Sequence, residues 1–224
     1  MRRFLTFNSL SVVFLAFFLA TTLAQAIAGH GKFNEEASAH KEPSISLGRY
    51  VTSSEFGQAV MENWQSEFLQ FSLYIFGTVW LIQRGSPESK KPEDAGAESD
   101  EAQLLGEHAR PGSPGWAKVG GWRTWVYSNS LILLMASIFL GTWFADSACG
   151  WSVYDADQIS HHEAKVSYWG YVGTSDFWES SLQNWQSEFL AIGAMGIFSV
   201  YLRQRGSPES KPVGAPHEAT GAEG

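Results

Sequence analysis

Apolar residues along this chain gather into four blocks, at 10–24, 68–82, 130–145 and 189–202, and polar residues fill the stretches between them. A mean hydropathy of −0.14 would suit an ordinary soluble domain, but it averages over two unlike kinds of segment. A helix needs ~20 mostly apolar residues to cross the hydrocarbon core of a bilayer. The first and third blocks reach that length with their flanks. The second and fourth, about 15 residues each, reach it only if the helix takes in the polar segment before them, which brings Glu67 and Glu188 to the interface. The pattern predicts an all-α membrane protein with four transmembrane helices.

The polar segments before the second and fourth blocks are the same segment. Asn63-Trp64-Gln65-Ser66-Glu67-Phe68-Leu69 returns unchanged at 184–190, and Gln83-Arg84-Gly85-Ser86-Pro87-Glu88-Ser89-Lys90 returns at 204–211, both at an offset of 121 residues. The same offset aligns Asn8-Ser9-Leu10 with Asn129-Ser130-Leu131, His40 with His161, Glu42 with Glu163 and Tyr50 with Tyr171. Such self-similarity fixes architecture before any local reading does. The chain reads as two tandem two-helix repeats, at 1–90 and 122–211, joined by a linker at 91–121 and followed by a tail at 212–224. Recognisable repetition starts at about residue 8.

The repeat also decides the first block. Met1-Arg2-Arg3, an apolar run and then Ala24-Gln25-Ala26 have the form of a secretory signal. Its counterpart, however, lies in mid-chain, where no cleavage is expected. Block one is therefore read as a retained helix.

Orientation follows from the fifteen Lys and Arg residues. With four spans, the side shared by both termini and the linker carries all of them except Lys32, Lys41, Arg49 and Lys165. Such an excess marks the cytoplasmic face. Trp80, Trp122, Trp125, Tyr127, Trp143, Trp151 and Tyr201 fall near helix ends, where amphipathic rings favour the headgroup layer.

The formal charge of −8 is spread over both sides, and no basic face points to nucleic acid. The single cysteine, Cys149, forms no internal disulfide and faces Ala28 in the alignment, so duplication did not preserve it.

Gly-Ser-Pro after an arginine is helix-stop chemistry: glycine takes the left-handed cap and proline forbids continuation. That accounts for Gln-Arg-Gly-Ser-Pro but leaves the Glu-Ser-Lys that follows unexplained. Residues 86–115 are rich in Pro, Gly, Ser, Glu and Ala, which predicts a flexible linker, and the tail has the same composition. In the loops at 29–62 and 150–183, Ser54 and Ser175 are the expected N-caps. Phe56, Val60, Trp64 and Phe68 then follow at a spacing of four, matched by Phe177, Ser181, Trp185 and Phe189. Helices of about 30 residues, some 45 Å long, would start as amphipathic turns outside the bilayer and run inward.

Two constellations are candidates for chemistry. Carboxylates at membrane depth are costly and mark functional sites by default. Asn63 and Glu67 stand one turn apart, as do Asn184 and Glu188, each pair flanking Trp64 or Trp185. These six residues are candidates for a helix interface held by polar side chains or for an ion site. The polar stripe continues as Gln70, Tyr74 and Thr78 in repeat one but becomes Ala191, Met195 and Ser199 in repeat two, which argues against a symmetric ion path. His40 with Glu42 and His161 with Glu163 are weaker candidates for a metal site, since their spacing matches no specific motif. No phosphate-binding loop, nucleophile elbow, HExxH or CxxC is present, and no cofactor is implied.

The two NWQSEFL…QRGSPESK copies on a four-span chain resemble an uncharacterised family of bacterial integral-membrane proteins, a domain of unknown function. The resemblance covers both repeats and implies a bacterial plasma membrane, with no activity attached. The expected role is non-enzymatic, structural or interaction-mediating in the envelope. The bilayer is one partner, with self-association or an envelope protein as the other. A small transporter or channel using Glu67 and Glu188, or an outer-face His/Glu metalloprotein, is the alternative.

Overall fold

A computed structural model describes residues 2–221 and is built from α-helices, with no strand among those residues. The helices are α1 (Arg2–Phe7), α2 (Ser9–Ala39), α3 (Leu47–Tyr50), α4 (Ser54–Gly77), α5 (Gly115–Lys118), α6 (Gly121–Ser128), α7 (Ser130–Ser160), α8 (Tyr168–Val172) and α9 (Ser175–Tyr201). Two single 3-10 turns, Pro92–Asp94 and Gly106–His108, interrupt the segment between α4 and α5.

The duplication is visible helix by helix. Helices α2 and α7 have 31 residues each, and both their ends fall at the 121-residue offset. Each is preceded by a short helix and an asparagine that leaves helical geometry, with φ −123° at Asn8 and −111° at Asn129. The Asn8 and Asn129 amides each donate to a carbonyl one turn back, Phe4 O and Trp125 O, at 2.8 Å. A short helix thus stands before the asparagine in both places, from Arg2 and from Gly121. The sequence hides this because Phe4 and Trp125 differ while the backbone does not.

Among the described residues, only α2 and α7 are long and apolar enough to cross a membrane, where the sequence blocks predicted four such helices. Just 6% and 17% of their apolar stretches are buried, which separates them from the core helix of a soluble domain. Helices α4 and α9 fall short because their first turns are polar. They are also shorter than the expected 30 residues, at 24 and 27. Helix α4 stops three residues early because Gly77 stands where α9 has Phe198, and glycine weakens a helix by about 1 kcal/mol. Their caps lie one residue before the expected ones. Ser53 Oγ accepts from Phe56 N–H and Thr174 Oγ1 from Phe177 N–H, both at 3.3 Å.

The chain forms two compact units. The first gathers the chain up to Met61 with Ala145–Val172, and the second gathers Glu62–Phe144 with the chain from Gly173 onward. The first unit holds a pair of equivalent corners. Helix α2 ends with Lys41 in left-handed geometry (φ 61°) and α7 with His162 (φ 62°). In both, the next amide closes the cap: Glu42 N–H donates to Ala37 O and Glu163 N–H to Gln158 O, each at 2.8 Å.

The returning segment of each corner is then held by its backbone. Ile45 O receives the His30 ring at 2.7 Å, and its N–H donates to Asn34 Oδ1 at 2.9 Å. At the equivalent places Val166 O receives the Trp151 indole N–H at 2.9 Å, and Val166 N–H donates to Asp155 Oδ1 at 3.0 Å. Different side chains satisfy the same two backbone groups, because a buried backbone group left unpaired is costly whichever residue pairs it.

Tyr50 and Tyr171 complete the corners. Both are buried, and each lies against a helix glycine, Gly29 or Gly150, so closely that its hydroxyl fills the space of a Cβ. Phe33 and Phe56 pack on Tyr50 with ring centres 5.8 and 5.5 Å away, and Tyr154 packs on Tyr171 at 5.4 Å. Burial and the nearby Glu55 push the Tyr50 hydroxyl above its ordinary pKa, so it stays neutral. Cys149 Sγ fills the space beside Gly57 in the same unit.

The glycine contacts give an opposed pair of expected effects. Alanine in a helix gains about 1 kcal/mol over glycine, but overpacking costs about 1–3 kcal/mol. Gly31→Ala, where a Cβ meets nothing within 4 Å, should raise the thermal unfolding temperature in detergent. Gly29→Ala and Gly150→Ala should lower it, and Tyr50→Phe should restore most of the loss in Gly29→Ala. A stabilised Gly29→Ala would contradict the packing described.

Candidate functional site

The second unit brings the duplicated motifs together. Helices α4 and α9 meet along a polar seam whose contacts advance in the same direction on both, so the two run parallel. Glu62 Oε1 accepts from Ser180 Oγ at 2.5 Å and from Asn184 Nδ2 at 3.0 Å. One turn on, Gln65 Oε1 accepts from the Trp185 indole N–H at 2.7 Å. Ser66 Oγ then donates to Glu188 Oε1 at 3.4 Å, and Gln70 Nε2 to the Glu188 carbonyl at 3.4 Å. Trp143 of α7 adds its indole N–H to Ser181 Oγ at 3.2 Å and stacks its ring near Phe139, Phe177 and Trp185.

The seam uses different faces of the same motif. From repeat two it takes Asn184, Trp185 and Glu188, all half-buried; from repeat one it takes Gln65 and Ser66, which are buried. Asn63 and Glu67 are exposed, and Trp64 is half-buried. The six residues singled out in the sequence therefore divide: the repeat-two set lies on the seam, while Glu67 stands outside it, within electrostatic range of Glu188. Sequence identity could not reveal this, because two identical helix faces packed against each other need not use identical positions. Gln65, with no exposure at all, was missed as a central residue, and its Nε2 finds no acceptor among the described residues.

His40 and His161 are engaged locally. Each ring Nδ1–H donates to a carbonyl one turn back, Glu36 O or Asp157 O, at 3.0 Å. Glu42 and Glu163 supply the cap-closing amides, so these residues recur as part of a helix ending. Among the described residues, no group of three His, Cys, Asp or Glu side chains is placed to hold a metal ion.

The Gln-Arg-Gly-Ser-Pro-Glu-Ser-Lys loops show what the last three residues do. Gly85 (φ 87°) and Gly206 (φ 82°) turn the chain in left-handed geometry. Ser89 Oγ accepts from Gln83 N–H and Ser210 Oγ from Gln204 N–H, each at 2.9 Å, closing each loop on itself. The lysines gather backbone oxygens. Lys90 Nζ reaches Gly96 O at 3.0 Å and Glu98 at 2.9 Å. Lys211, 1% exposed, donates to the carbonyls of Gly85 (2.5 Å), Pro216 (3.2 Å), His217 (2.7 Å) and Ala219 (3.3 Å). Burial pushes its pKa down, and the four carbonyls offset that cost.

The glutamate of the first loop closes the site. Glu88 accepts a short hydrogen bond from the Tyr74 hydroxyl of α4. Beside this pair lies an apolar cleft of about 390 Å3, walled by Leu73, Gly77, Phe189, Ile192 and Gly193. A second of about 280 Å3 reaches Ala191 and Met195 on the other side. The polar stripe of repeat one is thus accounted for: Gln70 and Tyr74 face polar partners, while their counterparts Ala191 and Met195 are apolar walls. The fading of that stripe in repeat two was the sequence signal for the cleft.

Comparison with curated proteins and with solved structures finds no match. A family-wide profile described as a domain of unknown function (DUF6766) matches residues 1–222, and the chain belongs to that family.

Proposed function

We propose that this chain is a multi-pass protein of the bacterial plasma membrane with a non-enzymatic, structural or interaction-mediating role in the envelope. In this reading four helices cross the bilayer, α2, α4, α7 and α9. The short apolar lengths of α4 and α9 are made up by their polar first turns, and both termini are cytoplasmic. The exposed aromatic rings of α6, Trp122 and Trp125, with Arg123 5.6 Å from the Trp122 ring centre, suit a helix lying at the headgroup layer.

The observation that carries the structural reading is the seam. Glu62, Gln65, Ser66 and Gln70 each place a polar atom against α9, which is how polar side chains hold helices together where apolar surface gives no drive to associate. Glu67 and Glu188 occupy unlike surroundings, so the repeat offers no matched pair of ion ligands. That favours the seam over transport.

Topology is checked by reporter fusions. Fusions after Lys91 and Lys211 should report cytoplasm and those near Glu42 and Glu163 the opposite side; a periplasmic signal from the segment after Lys91 would overturn the four-span reading.

The seam is checked by equivalent substitutions in the two repeats. Gln65→Leu strands the Trp185 indole and should cost ~1 kcal/mol in detergent unfolding, while Gln186→Leu, at an exposed position, should cost little. Glu188→Leu should likewise exceed Glu67→Leu. Equal losses within each pair would show that the seam does not hold the repeats.

A further inference from the structure

The cleft beside Tyr74 has features that the structural role leaves unused. Its volume, about 390 Å3, falls in the range of small-molecule sites, roughly 300–1,000 Å3, and its walls are mostly apolar with a few convergent polar groups. Glu88 lines it half-buried, and Tyr74 binds only Oε2. The other carboxylate oxygen has no hydrogen bond among the described residues.

The carboxylate is also unmatched in charge. The lysines of the two loops are both committed elsewhere, Lys90 to Glu98 and Gly96 O, and Lys211 to four backbone carbonyls, and Lys91 makes no ion pair among the described residues. No ion pair among the described residues involves Glu88.

The loop that presents Glu88 is fixed in place. Gly85 N–H donates to Thr220 Oγ1 at 2.8 Å, Gly85 O accepts from Lys211, and Ser86 O accepts from Gly221 N–H at 3.0 Å. The carboxylate is therefore held at the cleft in advance of any ligand.

We infer that this cleft binds a lipophilic monocation, with the apolar body between Leu73, Phe189 and Gly193, the charge on Glu88, and Tyr74 orienting the carboxylate. Two sources share that chemistry: the ammonium head of a membrane aminophospholipid and a free hydrophobic amine or quaternary ammonium compound.

The full-length protein in detergent should bind tetraphenylphosphonium saturably at one site per chain. Tetraphenylborate, of the same shape and opposite charge, should not bind there. Glu88→Gln removes the negative charge that faces the cation and should weaken binding about tenfold or more. Gly193→Leu leaves Glu88 untouched and should abolish binding, because a Cβ at Gly193 meets nothing within 4 Å and a longer side chain can occupy the cleft. It decides the matter if Glu88→Gln fails to fold. Glu101→Gln, exposed and outside the cleft, should bind as the unaltered chain does.

Native mass spectrometry separates the sources. An aminophospholipid carried by the unaltered protein, displaced by tetraphenylphosphonium and missing from Gly193→Leu, identifies a lipid. A protein that carries no lipid yet binds the phosphonium identifies a free solute. Undiminished phosphonium binding in both Glu88→Gln and Gly193→Leu, equal binding of the borate, or no binding of either lipid or phosphonium would overturn the inference.

Discussion

The hydrogen bond from the Trp185 indole to the Gln65 side chain sets the arrangement of the second unit. Gln65 is fully buried, so its carbonyl oxygen must be matched by a donor placed within a few tenths of an ångström, and Trp185 supplies one at 2.7 Å. That single pairing fixes the rotation of α4 against α9. The contacts above and below it, Glu62 with Ser180 and Asn184, and Ser66 with Glu188, then fall at successive turns. An apolar interface would tolerate rotation by one residue; a seam of directed hydrogen bonds does not.

Duplication and divergence divide the labour in this chain. What both repeats keep is what each needs alone: the asparagine before the long helix, the left-handed cap after it, the tyrosine over a glycine, and the serine-pinned loop. Some of the positions they no longer share lie where the copies face each other. Tyr74 meets Met195 as its counterpart, Gly77 meets Phe198, and the two lysines of the loops take different carbonyls. Two copies of one helix cannot both present the same side chain to a shared space, so the facing positions were free to become unequal.

The helical character was legible in the sequence because it depends on periodic spacing. The long helices α2 and α7 could be read from apolar content alone. The N-caps were misplaced by one residue because Ser53-Ser54 and Thr174-Ser175 each offer two hydroxyls, and only backbone geometry chooses between them. The length of α4 was overestimated because one glycine at its end outweighs an apolar run. The pairing of Tyr74 with Glu88 was out of reach, since the two lie on different elements and nothing in their spacing joins them. The polar stripe ending at Thr78 marked the right face, however. Corner equivalences such as His30 with Trp151 were invisible for the opposite reason: the backbone requirement is conserved between the copies and the side chain is not.

Lys211 carries a consequence for the order in which the chain is made. Its ammonium is buried among carbonyls of which one, at Gly85, belongs to the first repeat, and three, at Pro216, His217 and Ala219, lie downstream of the lysine itself. During synthesis the second loop emerges with that charge still hydrated, and the first loop waits without its partner. Neither can settle until residues 216–219 have left the ribosome. The helices can form one after another as they appear, but the two loops are latched to each other only once residues 216–219 are in place.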